Sequence, residues 1–308
     1  RPTLSVTGGR YNEGSPRAVF TVNATARQSL TLDVLDEADT GKAPTGDDEG
    51  KSDDSLDTAP IYYSLDGGAT WQLYNGTPII AGALPVLVAV DISNESDNVY
   101  EGEEQFKLVV TSGGQTASAF GTIVDDGTGT VYPPNVPNPD PDAPKDDDRP
   151  VRVNNIEVNE NSPWAVFRVN GTAGQSVTLA LQNDNDPNTA NALLGTDSGT
   201  QLQYFNGTAW VNYSSAVTLP TGGELLVRVA INDDEPYEGP ETFQLAVTPN
   251  GGNAAYGTAT ILDDGTGSIY PDNTTGNPDA DAPKDDDRPV RVNNIEVNEN
   301  SPWAVFRV

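Results

Sequence analysis

The sequence predicts an all-β protein: tandem seven-stranded antiparallel β-sandwiches joined by extended Pro/Asp-rich linkers. Three observations carry that expectation. Apolar and polar residues alternate over short runs, as where Phe243, Leu245 and Val247 interleave with Thr242, Gln244 and Ala246, the period of a half-buried strand. Clusters of Gly, Pro, Asn, Thr and Asp separate these runs, and no segment sustains a helical period. Finally, the whole pattern repeats.

The repeats are read directly. Arg1-Pro2, Arg149-Pro150 and Arg288-Pro289 open successive copies, and residues 142–169 recur letter for letter as 281–308. The expected organisation is a first sandwich over 1–126, a linker over 127–148, a second sandwich over 149–264 and a linker over 265–287. Residues 288–308 supply only strands A and B of a third copy, as expected of a window on a longer array. Seven strands are expected in the second copy. They are A (151–158), B (165–169), C (177–181), D (202–213, long enough to be a hairpin), E (225–231), F (242–248) and G (255–262). The first copy repeats them with Ala18, Phe20 and Val22 in B, Leu30, Leu32 and Val34 in C, residues 84–92 in E, and Phe106, Leu108 and Val110 in F. It also carries a hydrophilic loop over 36–60 whose composition opposes burial. Proline density in 127–148 favours an extended, semi-rigid spacer.

Composition narrows function. Lys and Arg number 16 against 46 Asp and Glu, a net charge of −30, which repels nucleic acid and anionic membrane surfaces. No apolar run reaches the length of a membrane span, so no membrane insertion is expected in this segment. The chain has no Cys, His or Met, which removes disulfides, thiol and imidazole chemistry and most transition-metal sites. Paired carboxylates can hydrolyse glycosides, but here they form too large a set on an open tip. No catalytic constellation is visible, and a non-enzymatic protein is expected.

The carboxylates are placed by counting strand reversals. The A–B turn, the end of C, the E–F loop and the end of G share one pole. In the second copy these hold Glu160, then Asp184 and Asp186, then Asp233, Asp234, Glu238 and Glu241, then Asp263 and Asp264. In the first copy they hold Glu13, then Glu37 and Asp39, then Asp97, Glu101 and Glu104, then Asp125 and Asp126. The opposite pole, as at 249–254, carries no acid. Carboxylates gathered at one tip repel one another unless they protonate or bind a cation. Oxygen ligands without His or Cys select Ca²⁺; the alternative is a solvated acidic surface. Such Ca²⁺ would bridge the tip loops and the linker aspartates Asp146–Asp148 and Asp285–Asp287, fixing the angle between sandwiches. Ser96 stands where the second copy has Asp233, which predicts weaker binding in the first copy.

The runs NENSPWAVFRV, INDDEPYEGPETFQLAV and GTATILDDG, with YNEGSPRAVFTV, DNVYEGEEQFKLVV and GTIVDDG in the first copy, resemble the Calx-β domain. That resemblance implies a seven-stranded, immunoglobulin-like sandwich binding Ca²⁺ at the tip that adjoins the next domain. It places ligands on the Glu of the A–B turn, the Asp-Asp and Glu of the E–F loop, and the Asp-Asp after G. It further implies tandem arrays in large secreted or surface adhesins. The long linker and Ser96 depart from the pattern.

The function expected is therefore a structural, calcium-stiffened repeat segment of an extracellular or cell-surface bacterial protein, an adhesin stalk or fibre. Its partners would be neighbouring repeats, identical chains in a fibre, or a surface or glycan target. Two alternatives stand beside it. Aromatic residues expected to be exposed, such as Tyr204, Trp210 and Tyr213, could make the sandwiches carbohydrate-binding modules of an exported enzyme. Linker residues Val131-Tyr132 and Ile269-Tyr270 could instead add a strand to a neighbour's sheet edge in a self-assembling filament. The Asp-box-like stretch from Ser64 to Trp71 reads as a structural hairpin turn.

Overall fold

Each long alternating run forms a strand, and the strands pair into four sheets facing each other two by two. The computed structural model describes residues 3–35, 56–234 and 236–308. The first copy contains β1 (Leu4–Thr7), β2 (Arg10–Asn12), β3 (Arg17–Ala24), β4 (Ser29–Leu35), β5 (Ile61–Ser64), β6 (Gln72–Leu73), β7 (Ile79–Ile80), β8 (Val86–Asp91), β9 (Glu104–Ser112) and β10 (Gln115–Val124). Its sheets run β1-β3-β8-β5-β6 and β2-β10-β9-β4-β7. The second copy contains β11 (Arg152–Val153), β12 (Ile156–Asn159), β13 (Trp164–Asn170), β14 (Ser176–Gln182), β15 (Ala190–Asn191), β16 (Gln203–Phe205), β17 (Trp210–Asn212), β18 (Val217–Thr218), β19 (Glu224–Ala230), β20 (Glu241–Pro249) and β21 (Ala255–Leu262). Its sheets run β11-β13-β19-β16-β17 and β12-β21-β20-β14-β18, with β15 joining β20.

Both sandwiches are all-β, and the inward positions Phe243, Leu245 and Val247 are fully buried, while Thr242 and Ala246 on the other face of that strand are buried too. Phe20 meets Phe106 edge-on at 5.6 Å in the first core, and Phe167 meets Phe243 at 6.2 Å in the second. Each core is contiguous around these rings.

Strand A is not one strand. Its first half pairs antiparallel with strand B (β11 with β13), and its second half crosses to the other sheet to run parallel with strand G (β12 with β21). Asn154 and Asn155 make the crossing, because their Oδ1 atoms accept from the Arg168 and Thr258 amides at 2.6 and 2.9 Å. In the first copy Gly8 does it, since a Cβ there would lie 2.0 Å from the Phe120 carbonyl oxygen. Strand D is the hairpin β16–β17. The turn between β5 and β6 is held by Ser64 and Asp66: the Gly68 amide donates to Ser64 Oγ at 2.8 Å, and the Thr70 amide to Asp66 Oδ1 at 2.9 Å.

Three expectations change. First, the linkers do not run as extended spacers. Thr130 and Tyr132 bridge Tyr11 and Arg17, while Ser268 and Tyr270 bridge Val158 and Trp164, so each segment lies back along its own sandwich. The buried side chains of Val131 and Ile269 provide the reason, since an extended spacer would leave them in water. Val131-Tyr132 and Ile269-Tyr270 therefore augment their own repeat. Second, residues 288–308 form no strand. Asn293 still bonds Arg307 as Asn154 bonds Arg168, but the flanking strands that complete β11 to β13 have no counterparts among the described residues. Third, Tyr204, Trp210 and Tyr213 are half-buried against the core. Trp210 Nε1 donates to the Thr274 carbonyl, the Tyr213 hydroxyl accepts from the Leu179 amide, and Arg228 lies between the Trp164 and Trp210 rings. Of the loop expected over 36–60, residues 36–55 lie outside the described residues, Glu37 and Asp39 among them. Leu56 ends it as part of the first core.

Candidate metal centres

The sequence places a buried asparagine just before the A–B turn in both copies. Asn12 Oδ1 accepts from the Asp146 amide at 2.7 Å, while its Nδ2 donates to the Thr128 and Asp146 carbonyls at 2.9 and 3.0 Å. Asn159 does the same for Asp285 and Thr266, at 2.8, 2.9 and 3.0 Å. Each asparagine thus pins the returning end of the linker beside the glutamate that follows it. Sequence reasoning missed Asn12 and Asn159 as positioning residues; their position before Glu13 and Glu160 was the available signal.

Among the described residues three triads of carboxylates result, each with ligand atoms within 4.8 Å of one another: Glu13, Asp146 and Asp148; Glu160, Asp233 and Asp285; Asp197, Glu238 and Glu241. Two oxygens on one Ca²⁺, each at 2.3–2.6 Å, can stand about that far apart. Backbone amides fix the surroundings. Glu13 accepts from the Asp97 amide at 2.6 Å, and Glu160 from the Asp234 amide at 3.2 Å. Asp125 Oδ2 accepts from the amides of Glu101 and Gly102 at 2.7 and 3.1 Å, and Asp263 Oδ2 from that of Glu238 at 2.7 Å.

The electrostatics disfavour full ionisation. Burial, followed by the charges of Asp148, Asp146 and Asp125, pushes the Glu13 carboxyl up to about 8, although the Asp97 amide opposes it. Burial and the charges of Asp146, Asp125 and Asp97 take Asp148 to about 7. Burial also leads the rise of Glu160 to about 7 and of Glu241 to about 7, and it pushes Asp125, Asp146, Asp233 and Glu238 upward. Asp148 is 5 % exposed, yet neither carboxylate oxygen has a hydrogen-bond partner among the described residues. Asp125 Oδ1 and Asp263 Oδ1 are likewise buried without one. Such orphaned oxygens are costly unless a cation or water meets them. The donor set is oxygen alone, which fits a hard cation.

The sequence-derived candidates divide accordingly. Glu13, Glu160, Asp233, Glu238 and Glu241 stand in triads, while Asp97, Asp234 and Glu101 supply amides at the same pole. Asp125 and Asp263 lie beneath the E–F loops, and Glu104 opens β9. Asp126 and Asp264 instead cap Thr128 and Thr266. Burial raises Asp126 but the Thr128 bonds and Arg149 outweigh it, and the Thr266 bonds hold Asp264 down. Asp184 and Asp186 bond within their own exposed loop, to the Asp186 and Asn188 amides. Glu235 lies outside the described residues. Asp146, Asp148 and Asp285 enter the triads from the linkers, whose aspartates are expected to bridge to the tip, and Asp197 enters from a segment that the strand count does not assign there.

The first joint is also a contact between copies. The Asp147 amide donates to the Asn250 carbonyl at 2.7 Å, Asn253 Nδ2 to the Asn98 carbonyl at 2.9 Å, and Asn250 Nδ2 to the Lys145 carbonyl. The acid-free turn between β20 and β21 therefore sits on the acidic pole of the first sandwich.

Fold and pole together define a tandem β-sandwich repeat protein with acidic ends. No family model matches the chain, and no curated protein matches it. Solved structures similar to it include the BSP domain of a biofilm associated protein (12 % identity, 84 % of this chain and 29 % of that one, TM-score 0.21). A tetra-tandem repeat in the extending region of a large adhesion protein is 12 % identical over 87 % of this chain and 51 % of that one, with a TM-score of 0.24. The D00–D0 domain of intimin is 10 % identical over 85 % of this chain and 100 % of that one, with a TM-score of 0.33. The chain thus spans less than two thirds of the first two. Among the described residues no helix is long and apolar enough to cross a membrane.

Proposed function

We propose that this chain is a structural segment of a long secreted or cell-surface protein, an adhesin stalk or extracellular fibre, whose joints are stiffened by Ca²⁺. The reading includes the Calx-β resemblance of its A–B, E–F and G-end motifs. The observation that carries it is Asp148, buried beside Glu13 and Asp146 with both carboxylate oxygens unpartnered at the seam with the second sandwich. Ca²⁺ held by Glu13, Asp146 and Asp148 neutralises that charge and ties the A–B turn to the end of the linker. Glu160, Asp233 and Asp285 do the same at the second joint. A ligand that binds only the folded state stabilises it by about 2.7 kcal/mol at a hundred times Kd. Extracellular modules bind Ca²⁺ at about 10⁻⁴–10⁻³ M. Thermal melts in chelator and in millimolar Ca²⁺ test the proposal: the midpoint rises with Ca²⁺ and not with equal Mg²⁺. An identical midpoint in chelator and Ca²⁺ removes it.

A further inference from the structure

Each linker begins and ends at the same place. After β10, the Gly127 amide donates to the Asp146 carbonyl at 2.9 Å and the Asp148 amide to the Asp125 carbonyl at 2.8 Å, so Asp126 faces Asp147 across a short antiparallel stem. After β21 the same stem recurs: Gly265 to Asp285 at 2.8 Å, Asp287 to Asp263 at 2.9 Å, with Asp264 opposite Asp286. The twenty or so residues between the stem halves form a strap closed at its neck. The path from one sandwich to the next therefore crosses a few ångströms of stem, although the chain contains far more length.

We propose that these straps are stored length, released when the chain is pulled, and that each joint acts as a force buffer ahead of sandwich unfolding. The geometry of loading is the reason. The two open ends of the stem lead to β10 and to Arg149, which are the load-bearing ends of the chain. Tension between sandwiches therefore unzips the stem one pair at a time. By contrast, β10 is held along its length by a nine-pair ladder with β9 and by β2 on its other side. The strap is also held unequally. Its outgoing leg is bonded through Thr130 to Arg10 and Asn12, and Tyr132 donates to Ser15 Oγ. Its returning leg, 133–146, is held by Asn135 on Arg17, Pro137 over Gly68, the Asp140 amide on the Val131 carbonyl, Asn250 on the Lys145 carbonyl, and Asp146 on Asn12. The returning leg peels first and the outgoing leg follows. At about 3.3–3.6 Å per residue, the returning leg yields about 45 Å and the whole strap about 70 Å, against about 380 Å for a sandwich.

The inference rests on the structural-segment reading only for its use in the cell; release itself needs no cation. Single-molecule pulling of the whole chain between terminal handles tests it. Two short lengthenings of about 45–70 Å are expected before the two long unfolding events. The second stem opens at the lower force, because no turn like 250–253 covers it among the described residues; its strap then peels from Asn161, Arg168 and Trp210, which donate to the carbonyls of Pro283, Gly276 and Thr274. The chain has no cysteine, so oxidised Asp126→Cys/Asp147→Cys clips the first stem alone. One short event then disappears and returns on reduction. Absence of short events in the unaltered chain, or two short events in the clipped one, overturns the proposal. If that variant loses a long unfolding event and so has not folded, Asp264→Cys/Asp286→Cys poses the same question at the second stem. Short events whose force is the same in chelator and in Ca²⁺ leave the straps intact and count against the calcium reading instead.

Discussion

The two joints of this chain share a sequence and differ in surroundings. Residues 146–149 and 285–288 are the same four letters, Asp-Asp-Asp-Arg, and both form a bidentate pair, Arg149 to Asp147 and Arg288 to Asp286, at 2.6–2.7 Å. At the first joint the Arg and Asp side chains are 20 % and 6 % exposed; at the second they are 55 % and 42 % exposed. The difference is the turn at 250–253, which covers the first joint and has no equivalent over the second among the described residues. Each sandwich thus buries part of its own acidic tip, as at Glu160 and Asp263, and the next sandwich adds cover over the linker end. Both poles call for a counter-ion, the covered one more strongly.

The largest expected effect comes from removing the orphaned charge. Asp148→Asn removes a carboxyl that burial raises to about 7 and that has no hydrogen-bond partner among the described residues, so above pH 7, where it is ionised, the chelated protein should melt several degrees higher. Its Ca²⁺ affinity at the first joint should fall about tenfold or more, about 1.4 kcal/mol. A chelated variant that melts lower would show that Asp148 is not strained by its burial.

Next comes the cover. Gly251 has φ +90°, and a Cβ there would lie 1.3 Å from Asp146 Oδ1. Gly251→Ala should cost about 1–3 kcal/mol from the backbone alone and displace Asp146 from Glu13. Exchange of the Asp147 amide should accelerate toward that of Asp286. Gly113→Ala is the control, because its φ is also positive but a Cβ there meets nothing within 4 Å. Equal effects of both variants on Asp147 exchange would assign the cost to strain and none to the joint.

The pH response is smaller. Glu13 is raised to about 8 and Asp148 and Glu160 to about 7, whereas unfolded carboxyls titrate near 4. Between those values the folded chain holds more protons than the unfolded one, so stability falls as pH rises from about 4.5 to 8. Melts in chelator should drop by a few degrees across that range, and saturating Ca²⁺ should flatten or reverse the slope. A chelated chain whose stability rises with pH would contradict the burial of these groups.

The smallest change sharpens the comparison from the other side. Ser96 donates to Asp146 Oδ2 at 3.5 Å, in the place where Asp233 meets Asp285. Ser96→Asp should tighten Ca²⁺ binding at the first joint a few-fold, by titration calorimetry, while raising the pH sensitivity of the chelated form. A looser site would mean that Asp148 already fills the third position.

Much of this was legible in the residues. Period-two runs gave the interior of strands B, C, E, F and G, because inward side chains such as Phe167, Leu179 and Leu245 have no other way to bury. The division of strand A was not, since it depends on two asparagine side chains reaching amides far along the chain. The acidic pole could be found by counting reversals, which brought Glu13 or Glu160 together with the E–F loop. Asp146, Asp148 and Asp285 are legible as linker aspartates that calcium could bridge to the tip, but the spacer that carries them reads as extended because proline is read locally. What returns them to the pole is nonlocal: Val131 and Ile269 in the core edge, and Asn12 and Asn159 holding the far end. Asp197 was hidden by a C–D region that differs between the copies and offers no offset to compare.

The central claim is that the covered joint holds calcium, and calorimetric titration of Ca²⁺ into the chelator-stripped chain addresses it most directly. The prediction is saturable binding below about 10⁻³ M, with proton release that changes the heat between buffers because Glu13 and Asp148 bind part of a proton near neutral pH. In Glu13→Gln/Asp148→Asn the first joint's share of binding and proton release should vanish, while binding at the second joint, where Glu160 is also raised to about 7, remains. No saturable heat up to several millimolar Ca²⁺, or the same isotherm in the double variant, would contradict it.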